Sequence, residues 1–97
     1  MKSKMHNPPH PGKVLKELYI EGLDLKIVNA ARALDISRQN LSLIVNGHVG
    51  ISPDMALRLG KAFNTEPEMW VNMQKNYDMW HARRSAKQML RKVKELA

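Results

Sequence analysis

The sequence predicts an all-α fold: five helices followed by a basic C-terminal helical extension. Three observations predict it. Apolar residues recur at intervals of three and four through successive segments, nothing alternates with period two over a useful length, and helix-capping residues punctuate the segments. The chain divides into a flexible arm at 1–10, a helical domain at 11–81 and a basic segment at 82–97.

Residues 1–10 carry two prolines and two lysines without periodicity, which fits an arm and not a helix. Pro11-Gly12 opens the first helix, with Val14, Leu15, Leu18 and Tyr19 as its apolar side and an end near Glu21-Gly22. The second helix places Ile27, Ala30, Ala31 and Leu34 at i, i+3, i+4 and i+7, and the two alanines on that face permit close approach of a neighbour. Asp35-Ile36 breaks that pattern. Ser37 is then an N-cap, and Asn46-Gly47 ends the third helix, which packs inward through Leu41, Ile44 and Val45.

Ser52-Pro53-Asp54 supplies an N-cap, a first-turn proline and an acid at the positive end of a fourth helix, whose buried stripe is Met55, Leu59 and Ala62 with Ala56 and Phe63. Asn64 closes it. Thr65-Glu66-Pro67-Glu68 reads as a capping box for a fifth helix, in which Trp70, Met73, Tyr77 and Trp80 recur at helical intervals.

Two short helices joined by a tight turn across residues 25–47 form a helix-turn-helix. The outward residues of its second helix are Arg38, Gln39, Asn40, Ser42, Leu43 and Asn46. A DNA major groove displays acceptors that Arg reads at guanine, donor–acceptor pairs that Gln or Asn reads at adenine, and thymine methyls that an apolar side chain covers. Arg38, Gln39, Asn40 and Leu43 are therefore the base-reading candidates, with Ser37, Ser42 and Asn46 as supporting or phosphate contacts. A polar helix face alone is usually only solvated. Here the supporting helix, the turn, the outward amides and an exposed leucine occur together, and that combination favours DNA reading.

Composition agrees. Ninety-seven residues suit one small domain, and 16 Lys+Arg against 9 Asp+Glu leave a formal net charge of +7. Such a surface seeks a polyphosphate or an anionic membrane. No apolar run approaches the roughly 20 residues that span a bilayer, and the N-terminus lacks the apolar block of a signal peptide, so a cytoplasmic protein without membrane contact is expected. The absence of cysteine excludes disulfides, thiolate metal sites and Cys nucleophiles. The four histidines are scattered, and prolines between His6 and His10 prevent a helical ligand pair, so neither a metal nor any cofactor is expected, and an enzyme is disfavoured. Gly47 and Gly50 have the spacing of a KH loop, but the strands of that RNA-binding fold are missing.

The fifth helix holds both tryptophans and three of the seven methionines. Trp70 is expected to pack on the first and fourth helices. Tyr77 and Trp80, farther out, are assigned to a homodimer interface, because interfaces enrich aromatics and Met and helix-turn-helix proteins commonly read two half-sites. Beyond Trp80, Arg83, Arg84, Lys87, Arg91, Lys92 and Lys94 face the single acid Glu95, while Met89, Leu90, Val93 and Leu96 form an apolar edge. Three readings stay open: solvated tail, DNA-backbone contact, or partner-docking surface.

The segment NPPHPGKVLKE at 7–17, the helix-turn-helix and NGHVGISPDMALRLGKAFNTEPEMWVNMQ at 46–74 together resemble the HigA-type antitoxins, a branch of the lambda-repressor-like, Xre-type helix-turn-helix proteins. The resemblance implies a five-helix lambda-repressor-like DNA-binding domain and a homodimer on operator DNA. It also implies autorepression of a toxin–antitoxin operon and neutralisation of a HigB-type toxin that cleaves mRNA on the ribosome. It places Arg38, Gln39 and Asn40 at base edges, with Leu43 one turn on. The family's second helix commonly begins Ser-Gln, the Gln anchoring a phosphate; here Lys26 and Ile27 stand there, and Lys26 replaces the amide with a point charge. The family usually has Glu after His-Pro-Gly, where this chain has Lys13, and that reversal bears on the partner's identity. The alternatives are a stand-alone transcriptional regulator and a protein-interaction module without DNA binding.

Overall fold

The computed structural model describes residues 7–97, and every regular element among them is helical. Residues 1–6 of the expected arm lie outside the described residues. The order is α1 (Pro11–Val14), a π-helical continuation (Leu15–Ile20), α2 (Ile27–Leu34), α3 (Arg38–Val45), α4 (Pro53–Phe63), α5 (Pro67–Arg84) and α6 (Lys87–Arg91).

The first helix begins where Pro11 supplies a preset φ and His10 caps it, its Nδ1 accepting the Gly12 N–H at 2.9 Å. After Val14 the turn widens to i→i+5 bonding, as in Glu21 N–H to the Lys16 carbonyl at 2.8 Å. This changes which side chains face inward. Leu15 and Ile20, five residues apart, are both buried, whereas Leu18, expected inside at ordinary helical spacing, is 66% exposed. Tyr19 stays half-buried between Phe63 and Trp70, with ring centroids 5.4 Å from each.

Ala30 and Ala31 of α2 are buried with Leu34 against α3 and α4, and α3 answers with Leu41 and Ile44. In α4 the inward residues are Met55, Ala56 and Leu59, with Phe63 packed beside them. Ala62, expected in that stripe, is exposed, because at this end of α4 the core is reached by the longer Phe63 ring against Tyr19. Trp70 is fully buried on α1 and α4 as its position requires, at 0% exposure.

The expected capping box at Thr65 does not form. Glu66 is the N-cap of α5 and makes no side-chain cap bond. The Thr65 hydroxyl instead accepts the Trp70 indole N–H at 2.8 Å and donates to the Leu59 carbonyl at 3.4 Å. A buried indole N–H requires an acceptor, and that need outweighs one exposed helix-end donor. The helix then runs through to Arg84, so Arg83 and Arg84 lie on α5 itself. Among the described residues no helix is long and apolar enough to cross a membrane.

Candidate nucleic-acid interface

The surface is built on the α2–turn–α3 unit. Asp35 ends α2 in the left-handed region, at φ 58°, and two bonds close the helix around it: Ile36 N–H to Ala31 carbonyl at 3.0 Å and Asp35 N–H to Arg32 carbonyl at 3.1 Å. Ser37 then caps α3, its hydroxyl accepting the Asn40 N–H at 3.0 Å. Because Leu41 and Ile44 anchor the inner face, Arg38, Gln39 and Asn40 project into solvent with Leu43, which is 38% exposed. Among the described residues, the side chains of Arg38 and Gln39 take part in no hydrogen bond or ion pair, leaving their donors and acceptors available to a ligand.

Ile27, Arg38, Gln39 and Ser42 line one shallow depression between the starts of α2 and α3. Lys26, the N-cap residue of α2, is exposed and makes no side-chain cap bond. A cation there opposes the helix dipole, the reverse of what stability favours, and it strengthens the attraction of that helix end for an anion. Ser42 is half-buried and not fully outward. Its hydroxyl accepts the Asn46 side-chain amide at 3.3 Å, so these two expected supporting residues support each other along one turn.

Three residues whose roles the sequence did not disclose hold this surface in place. Gly12 lies directly against the Ile44 carbonyl at the end of α3, where a Cβ would overlap it. Arg58 on α4 donates to the Leu34 and Asp35 carbonyls at 2.9 and 3.2 Å, in the turn itself. Gln74 on α5 accepts the Ile51 N–H at 2.8 Å, tying down the chain that follows α3. No sequence signal marks these contacts; in the structure the left-handed Asp35, a non-glycine at φ 58°, lies in the turn that Arg58 supports.

Tyr77 and Trp80 sit on α5 in an aromatic row. Tyr77 is half-buried against His10, with centroids 4.8 Å apart, and against His81 at 4.3 Å. Trp80 meets His81 edge-on at 5.0 Å and carries the Arg84 guanidinium 4.6 Å above its ring. Burial lowers the His10 pKa from its ordinary value, against the nearby Asp78 carboxylate, which raises it. In the C-terminal segment Met89, Leu90, Val93 and Leu96 are all exposed. Among the described residues no group of three His, Asp or Glu side chains is placed to hold a metal.

The helix-turn-helix family profile matches residues 15–70. The chain is 49% identical to virulence-associated protein A′ of Dichelobacter nodosus over 78% of its own length and 66% of that protein. It superposes on the Pseudomonas aeruginosa antitoxin HigA, solved with the higBA promoter, with a TM-score of 0.84 at 35% identity, covering 93% of this chain and 99% of that one. It also matches the antitoxin GraA in complex with its operator, with a TM-score of 0.86 at 31% identity, over 100% of this chain and 98% of that one.

Proposed function

Because the chain belongs to the helix-turn-helix family, in the HigA-type antitoxin branch of its Xre-like members, a group of DNA-binding regulators and not of enzymes, we propose that it binds operator DNA in the cytoplasm, represses its own toxin–antitoxin operon and neutralises a HigB-type toxin that cleaves mRNA on the ribosome. The observation that carries the DNA half is the outer face of α3, where Arg38, Gln39, Asn40 and Leu43 are exposed. These are the side-chain types that read guanine, adenine and thymine in a major groove. The promoter complex of the HigA relative and the operator complex of the GraA relative support the same reading.

Residues 11–81 form the reading and dimerisation domain, with Tyr77 and Trp80 at or beside the contact between two copies. Residues 82–97 are reserved for a partner. Two copies would present two α3 helices to half-sites about 34 Å apart. Lys26 serves the phosphate backbone, while Ser37, Ser42 and Asn46 keep α3 in shape. The toxin half rests on membership of the HigA branch.

A second reading, a stand-alone regulator, is favoured by one observation: Lys13 is exposed on α1 where the antitoxins usually carry Glu. Co-expression with the product of the adjacent gene separates the two, since growth rescue requires a toxin. The DNA assignment is tested by fluorescence anisotropy on Gln39→Ala and Arg38→Ala. Each should lose about 1–3 kcal/mol on the cognate operator with little change on scrambled DNA. Equal loss on both duplexes would make these side chains phosphate contacts and remove the base-reading assignment.

A further inference from the structure

Arg58 lies on α4, outside the helix pair that meets the ligand, yet its guanidinium reaches into the turn of that pair. One nitrogen, Nη1, donates to the Leu34 carbonyl at 2.9 Å and to the Asp35 carbonyl at 3.2 Å. The reason lies in how α2 ends. A helix leaves its last carbonyls without intrahelical partners. Here the left-handed closure satisfies those of Ala31 and Arg32 through the Ile36 and Asp35 N–H groups. The carbonyls of Leu34 and Asp35 point onward, and Arg58 takes both.

The Asp35 carboxylate is 3.9 Å from the same nitrogen but 99% exposed, so that ion pair is screened and weak. The guanidinium is thus held by main-chain oxygens of the turn. Only Ile36 separates Asp35 from Ser37, the residue that caps α3. The angle between α2 and α3 is set across those three residues, one of them in a backbone conformation that L-residues seldom adopt.

We propose that Arg58 is a positioning residue for base reading: by clamping the turn from α4 it fixes the tilt of α3, and with it the aim of Arg38 and Gln39. This rests on the DNA-reading function proposed above. Bidentate base contacts depend on angle, because hydrogen bonds weaken steeply once bent, whereas phosphate contacts from flexible cations tolerate small rotations. Loosening the clamp therefore lowers discrimination and leaves general affinity in place. The positioning role proposed for Arg58 requires no contact between its side chain and DNA.

The test uses a duplex selected by the full-length wild-type chain from a randomised library, and a scrambled duplex of equal length. Affinity for both is measured across a salt series for wild type, Arg58→Lys and Arg58→Met, with circular dichroism confirming the fold of each. Arg58→Met keeps the stem but has no donor. Its selected-to-scrambled ratio should fall about tenfold, the scale of one lost base contact, with scrambled affinity and salt slope unchanged. Arg58→Lys, which keeps a charged donor without the planar fork, should recover part of the ratio. If Arg58→Met does not fold, the smaller loss in Arg58→Lys carries the test. An unchanged ratio in the folded variants overturns the proposal. A loss shared by both duplexes, with the salt slope reduced by about 0.9, would make Arg58 a phosphate contact and also overturn it. Failure of the wild-type chain to enrich any sequence would instead overturn the DNA-reading function on which it rests.

Discussion

The side-chain carbonyl of Gln74 accepts the backbone N–H of Ile51 at 2.8 Å, joining α5 to the chain between α3 and α4. The other end of the same amide donates to Asp78 at 3.0 Å, one turn along α5. Gly50 lies directly alongside, and a Cβ there would come within 3.0 Å of the Gln74 amide. Ile51 is buried, so its N–H has little access to water. α5 thus holds one end of the segment that follows α3.

Gln74→Ala should accordingly destabilise the domain by about 1–3 kcal/mol, the cost of leaving a buried backbone donor without a partner. Urea denaturation measures it. Gln74→Glu separates the two bonds: it keeps an acceptor for Ile51 but sets a second carboxylate beside Asp78. Its deficit should therefore shrink as pH falls and the carboxylates protonate. A Gln74→Ala variant as stable as wild type would mean that water replaces the amide at no cost.

Gly12 lies against the end of α3, where no larger residue fits. A methyl group at this position would overlap the Ile44 carbonyl, which is backbone and cannot rotate away. Gly12→Ala must therefore push α1 off the end of α3. A loss of about 1–3 kcal/mol is expected, the usual range for forcing extra volume into a packed site. Thermal unfolding checks it, and a wild-type midpoint would show that the two helices are not in firm contact.

His10 should make stability depend on pH. Its Nδ1 accepts the Gly12 N–H and so must be unprotonated, and burial lowers its pKa from the ordinary histidine value. The unfolded chain then binds the proton more readily than the folded one. The associated stability is complete above the ordinary histidine pKa, about 6.5, and is lost as pH falls through the lower folded value. Asp78 opposes the shift, and Lys13, Lys16, Glu17 and His81 line the same groove. His10→Asn keeps a capping acceptor that does not titrate, so its stability should fall less than that of wild type between pH 7.5 and 5. Parallel pH profiles for the two proteins would show that another group is responsible.

What was legible in the sequence was whatever depends on local periodicity and capping. Ala30, Ala31 and Leu34 face inward, Ser37 caps α3, and Asn64 closes α4 at φ 55°, as their spacing and chemistry require. Arg38, Gln39, Asn40 and Leu43 are exposed together because Leu41 and Ile44 leave them no other side. Interactions between distant positions were not legible. The π turn moves Leu18 outward through five-residue bonding that no apolar pattern announces. Thr65 looked like a cap because the indole five residues ahead cannot be seen to need its hydroxyl. Arg58 and Gln74 look like ordinary polar residues on helix surfaces until the carbonyls and the N–H they meet, more than 20 positions away, are brought beside them.

The basic C-terminal segment offers the sharpest test of how the charge of this chain is used. α5 packs on α1 and α4 and carries the chain on to Arg84, after which α6 begins with only Ala86 of the segment buried. Lys87, Arg91, Lys92 and Lys94 are all exposed. If they lay along DNA, each phosphate contact would add about 0.9 to the slope of log affinity against log salt, and truncation after Ser85 would flatten that dependence by several units. The expected result is the opposite, a nearly unchanged slope. Helix-turn-helix proteins bring the reading helix and its flanking helix ends to DNA, and this segment leaves from the end of a helix that packs mainly on α1 and α4. Its exposed Met89, Leu90 and Val93 also provide apolar area of the kind protein interfaces bury, which phosphates do not use. Operator binding by full-length and truncated chains across a salt series decides between the two, and a large loss of slope would make the segment a DNA clamp.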